Sequence, residues 1–142
     1  MPVQIHRDRP PAFYELIAEY EASLSPELRH AKLEPFVATF MASLDGQPCG
    51  CLALDERDAT TGIVKRLYVS PSFRGHGIAR ALMDALIATA RDRGYARVIL
   101  DTNREQLAAA YQLYLSMGFT EYAASCEDDV SYACPTFMEL RL

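Results

Sequence analysis

The sequence predicts an α/β (α+β) sandwich built on a mixed sheet, and three observations carry that prediction. Helix-like and strand-like periods of apolar residues alternate along the chain. An Asp45-Gly46 pair separates two apolar runs, which is a hairpin signal, so part of the sheet is antiparallel. Downstream, two strand-like runs are each followed by a helical stripe that stops on a glycine, Gly94 and then Gly118, giving a β-α-β-α order. The 142 residues, half of them hydrophobic and 23% charged, imply one domain spanning 1–142 whose core needs no disulfide or metal.

Each element has its own local reason. After a short apolar start, Pro10-Pro11 leads into Phe13, Leu16, Ile17, Tyr20 and Leu24, whose three- and four-residue spacing makes one apolar helical face. Ser25-Pro26-Glu27 restarts a helix, with an N-cap serine, a proline in first position and an acid in the first turn. Pro35 to Leu44 reads as a strand apolar on both faces, and Cys49 to Leu54 returns beside it. The polar stretch from Asp55 to Gly62 reads as a loop. Ile63 to Val69 is β-branched and aromatic, a strand that stops at Ser70-Pro71. Ile78, Leu82, Leu86 and Ala90 then trace the stripe of a helix over Gly75 to Arg93. Tyr95 to Asp101 is a buried-type strand, and Asn103 with Gln106 resembles a capping box that opens a helix through Met117. Phe119 to Ala123 and Thr136 to Leu142 are two closing strands around an acidic loop.

Charge and cysteine usage exclude several classes. Fourteen basic against nineteen acidic residues give a net charge of -5, which does not supply the clustered cations that nucleic acid requires. No apolar run approaches the ~18 residues needed to cross a bilayer, and Met1 to Asp8 is no signal peptide, so a soluble cytoplasmic protein with no membrane partner is expected. Cys49 and Cys51, two apart, are expected on one strand face, while Cys126 and Cys134 match no zinc spacing. No metal site is expected, and a Cys126–Cys134 disulfide would need an oxidant. His6 and His30 have no acidic, Cys or Ser partner at a motif spacing, and a homodimer is compatible with the sequence without being required by it.

The stretch that carries chemistry runs from Val69 through Ser70-Pro71-Ser72-Phe73-Arg74-Gly75-His76-Gly77-Ile78-Ala79-Arg80, a strand passing through a glycine-bearing loop into a long helix. Glycines let successive backbone N–H groups converge on an anion, and a helix N-terminus adds about half a positive charge at the same place. Arg74 and Arg80 can add side-chain charge. The loop lacks the Gly-Lys-Ser/Thr of a nucleoside-triphosphate loop, and Arg80 stands where a dinucleotide loop has its third small residue.

Arg74-x-x-Gly77-x-Ala79 resembles the Arg/Gln-x-x-Gly-x-Gly/Ala signature of the GNAT superfamily of acyl-CoA N-acyltransferases. Lys65-Arg66-Leu67-Tyr68-Val69-Ser70-Pro71 looks like that family's preceding strand, and Ala110-x-x-Leu113-Tyr114-x-x-x-Gly118-Phe119 looks like its second motif, in the right order. The resemblance covers Phe36 to Leu142. It implies a three-layer fold with a central mixed, mainly antiparallel sheet and about four helices. It further implies an acetyl-CoA-dependent N-acetyltransferase acting on a primary amine of a small molecule or peptide. Carried over position by position, the loop of Arg74, Gly75, His76, Gly77, Ile78, Ala79 and Arg80 would hold the pyrophosphate. The backbone of Leu67, Tyr68 and Val69 would pair with the pantetheine amides as an added strand, and Tyr114 would protonate the leaving thiolate.

Two positions depart from the family. Where many relatives carry a base-supplying Glu, this chain has Ile63, and where many carry a cofactor-binding Asn it has Leu107, so Asn103 reads as a helix cap. A primary amine with a pKa near ~10.4 is mostly protonated at neutral pH and still needs a proton acceptor; Glu34, Asp101 and Glu121 are the candidates. Glu121, Glu127, Asp128 and Asp129 concentrate negative charge after Phe119, where they would steer a cationic acceptor. The loss of Glu at Ile63 also leaves open a non-catalytic acyl-CoA-binding or partner-binding module, and the Gly loop alone a nucleotide-binding regulator.

Overall fold

The computed structural model describes residues 3–24, 36–123 and 136–142. Along the chain come β1 (Val3–His6), α1 (Pro11–Ser23), β2 (Ala38–Leu44), β3 (Gln47–Asp58), β4 (Thr61–Val69), α2 (Ile78–Asp92), β5 (Arg97–Thr102), α3 (Ala108–Ser116), β6 (Thr120–Glu121) and β7 (Thr136–Arg141). The strands form one sheet in the order β1-β2-β3-β4-β5-β7-β6, mixed and mainly antiparallel, with β4 and β5 the parallel pair. Asp45 and Gly46 both take positive φ (54° and 78°), the two-residue turn that the Asp-Gly pair predicts, and Leu44 faces Gln47 across it.

Two apolar layers cover the sheet. On one face, Phe13, Leu16 and Ile17 of α1 pack on Met41, Cys51 and Tyr68. On the other, Ile78, Leu82, Met83 and Leu86 of α2 pack on Phe40, Leu52, Leu54 and Val98, with Tyr114 of α3 and Phe119 in the same cluster. Strand β2 is buried on both faces because the sheet is sandwiched between these layers, as its continuous apolar run implies.

Several expectations are corrected. The described residues hold three α-helices rather than about four; the helix expected from Ser25-Pro26-Glu27 lies outside the described residues. The short apolar start is strand β1, pairing with β2 at the sheet's edge, too short to carry a period of its own. Asp55 to Gly62 is not a loop but a hairpin tip, since Asp55 faces Ile63 and Asp58 faces Thr61. Its polarity comes from the turn, where the Asp58 carboxylate accepts the Thr60 N–H and hydroxyl at 2.9 Å each. Those bonds hold the Asp58 carboxyl down at about 2.

Cys49 and Cys51 do not share a face. A β-bulge sets Ser43 against Pro48 and Ala42 against Gly50, and the extra residue, Cys49, swings into the α2 layer while Cys51 stays under α1. Both thiols are buried and reduced, and burial raises the pKa of each. Asn103 does cap a turn, its Oδ1 accepting the N–H groups of Glu105 and Gln106 at 3.1 and 3.0 Å, but regular helix α3 begins only at Ala108. The strand expected over Phe119 to Ala123 shortens to the two residues of β6.

The feature that positions a site is the end of the parallel pair. Strands β4 and β5 pair only through Thr61–Arg97, Gly62–Val98 and Ile63–Ile99, and beyond Ile63 the ladder between them stops. The rest of β4 therefore has no strand partner on its β5 side among the described residues.

Candidate active site

Four elements carry the candidate residues. The first is the turn into α2. After a 3-10 turn over Pro71–Phe73, Gly75 and Gly77 take φ of 86° and 74°, and Gly77 is the N-cap of α2. Ala81 is the first residue to enter the helical ladder, its N–H donating to the Gly77 carbonyl at 3.0 Å. The N–H groups from Gly75 to Arg80 donate to no backbone carbonyl among the described residues, which leaves a row of amide donors at the positive end of α2, next to the exposed Gly75, His76 and Gly77. A Cβ added at Gly75 or Gly77 would meet nothing within 4 Å, so the backbone angle, and not crowding by the protein, makes glycine necessary. Gly77→Ala should therefore cost about 1 kcal/mol of stability through αL strain alone, measurable by denaturant unfolding, and weaken binding of a phosphate-bearing ligand by calorimetry.

The second element is β4. The Ser70 N–H donates to the Cys49 carbonyl at 2.8 Å, and ladder alternation then turns the N–H and C=O of Val69, and the carbonyl of Leu67, away from β3, toward the open side. Tyr68 alternates the other way, its backbone facing β3. Of Leu67, Tyr68 and Val69, Val69 therefore turns both backbone groups, and Leu67 its carbonyl, toward the open side. Arg74 folds back over this edge, its Nε donating to the Val69 carbonyl at 3.0 Å and its guanidinium lying 5.8 Å from the Tyr68 ring. A bulge also distorts β4, where Arg66 takes φ 61°, a left-handed angle unusual for a residue with a Cβ. The Arg66 side chain is 1% exposed and lies 3.0 Å from Glu21 of α1.

The third element is α3, and hydrogen bonds at its end explain the Tyr-x-x-x-Gly-Phe spacing. Gly118 N–H donates to the Leu115 carbonyl at 3.1 Å, and Phe119 N–H donates to the Tyr114 carbonyl at 3.0 Å. This paired pattern needs a residue at positive φ, supplied by Gly118 at 98°. It stacks Phe119 on Tyr114 with ring centroids 5.6 Å apart. Tyr114 is buried, and burial first, then the neighbouring Tyr20 and Asp101, pushes its phenol well above the ordinary tyrosine range, so it holds its proton.

The fourth element is α1. Glu19 accepts the Ser70 hydroxyl at 2.9 Å, and Tyr20 stacks on Tyr68 at 5.4 Å. A cavity of about 200 Å3 lined by Ala12, Glu15, Leu16, Glu19, Pro48 and Ser70 runs beside it. A second, of about 250 Å3, lies beyond β5, lined by Asn103, Arg104, Glu105, Glu121 and Thr136.

The remaining sequence-derived candidates are placed as follows. His76 is exposed on the loop. Arg80 reaches Ser116 of α3 at 3.3 Å. Glu121 stands on the rim, accepting the Tyr111 hydroxyl at 2.7 Å and facing Arg104 at 3.3 Å. Ile63 is buried and apolar, and Leu107 packs with Leu24 and Tyr20. Glu34, His30, Cys126, Glu127, Asp128, Asp129 and Cys134 lie outside the described residues. His6 bonds Ser43 at 2.8 Å, away from the cleft. Among the described residues no group of three or more His, Cys, Asp or Glu could hold a metal, and no helix is long and apolar enough to cross a membrane. Sequence reasoning missed Glu19, Tyr20, Glu21 and Arg66. The one available signal was a charged Arg66 inside an apolar strand.

Comparison with known proteins bears on the family and the fold. A family model described as Acetyltransferase (GNAT) family matches residues 3–119. The rat N-acetyltransferase 8F1 is 50% identical over 54 residues, which are 38% of this chain and 24% of that protein. The chain thus spans about a quarter of the length of the curated relatives it first matches. A crystal structure assigned as an acyl-CoA N-acyltransferase from Klebsiella pneumoniae is 29% identical with a TM-score of 0.83, covering 99% of this chain and 97% of that one. A GNAT family acetyltransferase from Elizabethkingia anophelis with acetyl-CoA bound shares the fold at a TM-score of 0.75 and 20% identity, covering 99% and 98% of the two chains.

Proposed function

The chain belongs to the acetyltransferase (GNAT) family, and from that premise we propose that it is an N-acetyltransferase moving the acetyl group of acetyl-CoA directly to a primary amine of a small molecule or peptide. One observation carries the reading: the N–H groups from Gly75 to Arg80 have no backbone partners among the described residues at the start of α2, in the loop that follows the part of β4 with no strand partner on its β5 side. That supports an anion cradle next to a strand edge for an amide-bearing arm, with the buried, protonated Tyr114 phenol as the proton donor of the reading. The related acetyltransferase with acetyl-CoA bound supports the choice of donor.

The chemistry asks little more of the protein. A thioester is already activated, so no covalent nucleophile is required; the acyl carbon and the amine must be held together, the carbonyl polarised, and protons moved. The pyrophosphate sits on the amides from Gly75 to Arg80, with Arg74 and Arg80 adding charge. The Val69 N–H and the Leu67 carbonyl pair with the pantetheine amides, and the thioester lies beside Tyr114. As the amine nitrogen bonds to the acyl carbon, the carbon–sulfur bond breaks and the phenol hydroxyl gives its proton to sulfur.

Two measurements test this reading. Thiol release from acetyl-CoA in the presence of an amine panel should appear, and calorimetric titration should show acetyl-CoA preferred over ATP and NAD. Binding without release in any amine would contradict catalysis and favour the non-catalytic module that Ile63 brings to mind. A preference for ATP or NAD would contradict the donor. The acidic residues after Phe119 are assigned to steering the cationic acceptor. Neutralising Glu127, Asp128 and Asp129 together should raise the acceptor KM severalfold and flatten its dependence on salt, read from steady-state kinetics at two ionic strengths.

A further inference from the structure

Resting on the transfer reading above, we propose that Glu21 of α1 is a positioning residue for the donor: through its ion pair with Arg66 it holds β4 in the bulged form that presents Val69 and the Leu67 carbonyl to the pantetheine arm. The argument begins with the face that each β4 side chain takes. Val64, Leu67 and Val69 pack into the α2 layer, whereas Tyr68 packs under α1. Regular alternation from Val64 would send Arg66 into the α2 layer and Leu67 under α1. One extra residue resolves the difference. Ala53 faces Lys65 and Cys51 faces Tyr68, so Leu52 alone spans Arg66 and Leu67.

The same extra residue decides which backbone groups reach the open side. With the bulge, Tyr68 opposes Cys51 and turns its backbone to β3, while Val69 turns outward. Without it, Leu67 would oppose Cys51, and the backbone of both Leu67 and Val69 would turn back to β3. A slip of one residue therefore exchanges the groups offered to the donor.

Backbone preference does not select arginine for this place. A φ of 61° favours glycine, and a Cβ there is strained. The side chain supplies the reason. Its guanidinium is 1% exposed, lies 3.0 Å from the Glu21 carboxylate and has the Phe36 ring at 6.0 Å. A buried charge costs far more in the apolar α2 layer than beside a carboxylate, so the pair draws Arg66 to the α1 side and keeps the extra residue in the strand. Tyr20 and Asp101 also act on Arg66 electrostatically. Glu21 touches it from the last turn of α1, where the helix dipole disfavours a carboxylate, so helix stability does not account for an acid there.

The test measures acetyl-CoA and ADP affinity side by side by calorimetry, since ADP carries the pyrophosphate without the pantetheine arm. Glu21→Gln should weaken acetyl-CoA binding about tenfold, the weight of one or two backbone hydrogen bonds, and change ADP binding by less than about twofold. Arg66→Ala keeps the strained Cβ and loses the pair, so it should lose at least as much acetyl-CoA affinity. Arg66→Gly takes the left-handed angle without the pair and should stay within about threefold of wild type. Adding Glu21→Gln to Arg66→Gly should then have no further effect on the acetyl-CoA Kd. Unchanged acetyl-CoA affinity in Glu21→Gln, an equal loss of both ligands, or Arg66→Gly binding no better than Arg66→Ala would overturn the proposal. If the alanine variant does not fold, Arg66→Gly with and without Glu21→Gln decides the matter. Thiol release is a separate readout: its absence in the wild-type protein with every amine overturns the transfer reading, whereas the Kd comparison alone upholds or overturns the positioning role.

Discussion

Tyr114→Phe should lower kcat roughly 10²- to 10⁴-fold while leaving the acetyl-CoA Kd nearly unchanged. The substitution removes one oxygen from a side chain whose ring packs on Phe119 and whose surroundings are apolar, so the fold and the cofactor cradle are left in place. What it removes is the hydroxyl beside the proposed position of the leaving sulfur. Because burial raises the phenol well above its ordinary range, the group stays protonated throughout the working pH range, and activity should show no alkaline decline from its ionisation. The same shift has a sign for stability. A folded-state pKa above the unfolded value of ~10 gives stability that is complete below pH 10 and lost as pH climbs above it. The Phe variant should therefore resist alkaline unfolding better than wild type. Stopped-flow turnover with calorimetric donor binding checks the first claim, and intact turnover in Tyr114→Phe removes this residue from the mechanism.

Phe119→Ala should cost 3–5 kcal/mol of stability, the range for an aromatic deleted from a packed core. Phe119 is 1% exposed, and its neighbours in the larger core include Met138 and Tyr114. The loss reaches function as well as stability, since the Phe119 ring holds the Tyr114 ring from one side while its N–H closes the end of α3 on the Tyr114 carbonyl. At a temperature where the variant is still folded, kcat should fall more than the acetyl-CoA affinity does. Denaturant melts and steady-state kinetics on the same preparation separate the two effects; a loss below about 1 kcal/mol would mean the C-terminal turn of α3 does not support the tyrosine.

These two residues show how much of the site was legible in the chain. Tyr114, Gly118 and Phe119 stand at a spacing that a helix-ending hydrogen-bond pattern requires, and local chemistry of that kind is written in sequence. The same holds for the Asp45-Gly46 turn, the Gly77 cap and the stripe of α2. What sequence period could not convey is geometry that breaks period. The bulge at Cys49 moves one thiol to the opposite face, and the left-handed angle at Arg66 re-aims a charged side chain toward Glu21. Neither leaves a mark in the alternation of apolar residues. The separation of β4 from β5 is likewise a tertiary event, and nothing in the period of either strand marks Ile63 and Ile99 as their last paired row. The hairpin from Asp55 to Gly62 looks like a loop in sequence because its polar residues satisfy a turn and an exposed strand end, where polarity and extended structure coexist.

The most direct test of the central claim, that one cleft both binds the donor and performs the transfer, is a crystal structure of the protein with acetyl-CoA. The account predicts pyrophosphate oxygens on the N–H groups between Gly75 and Arg80, pantetheine amides paired with Leu67 and Val69, and the thioester sulfur within hydrogen-bond reach of the Tyr114 hydroxyl. Acetyl-CoA lying elsewhere, or bound on the loop with its sulfur turned away from Tyr114 and the opening between β4 and β5, would contradict it.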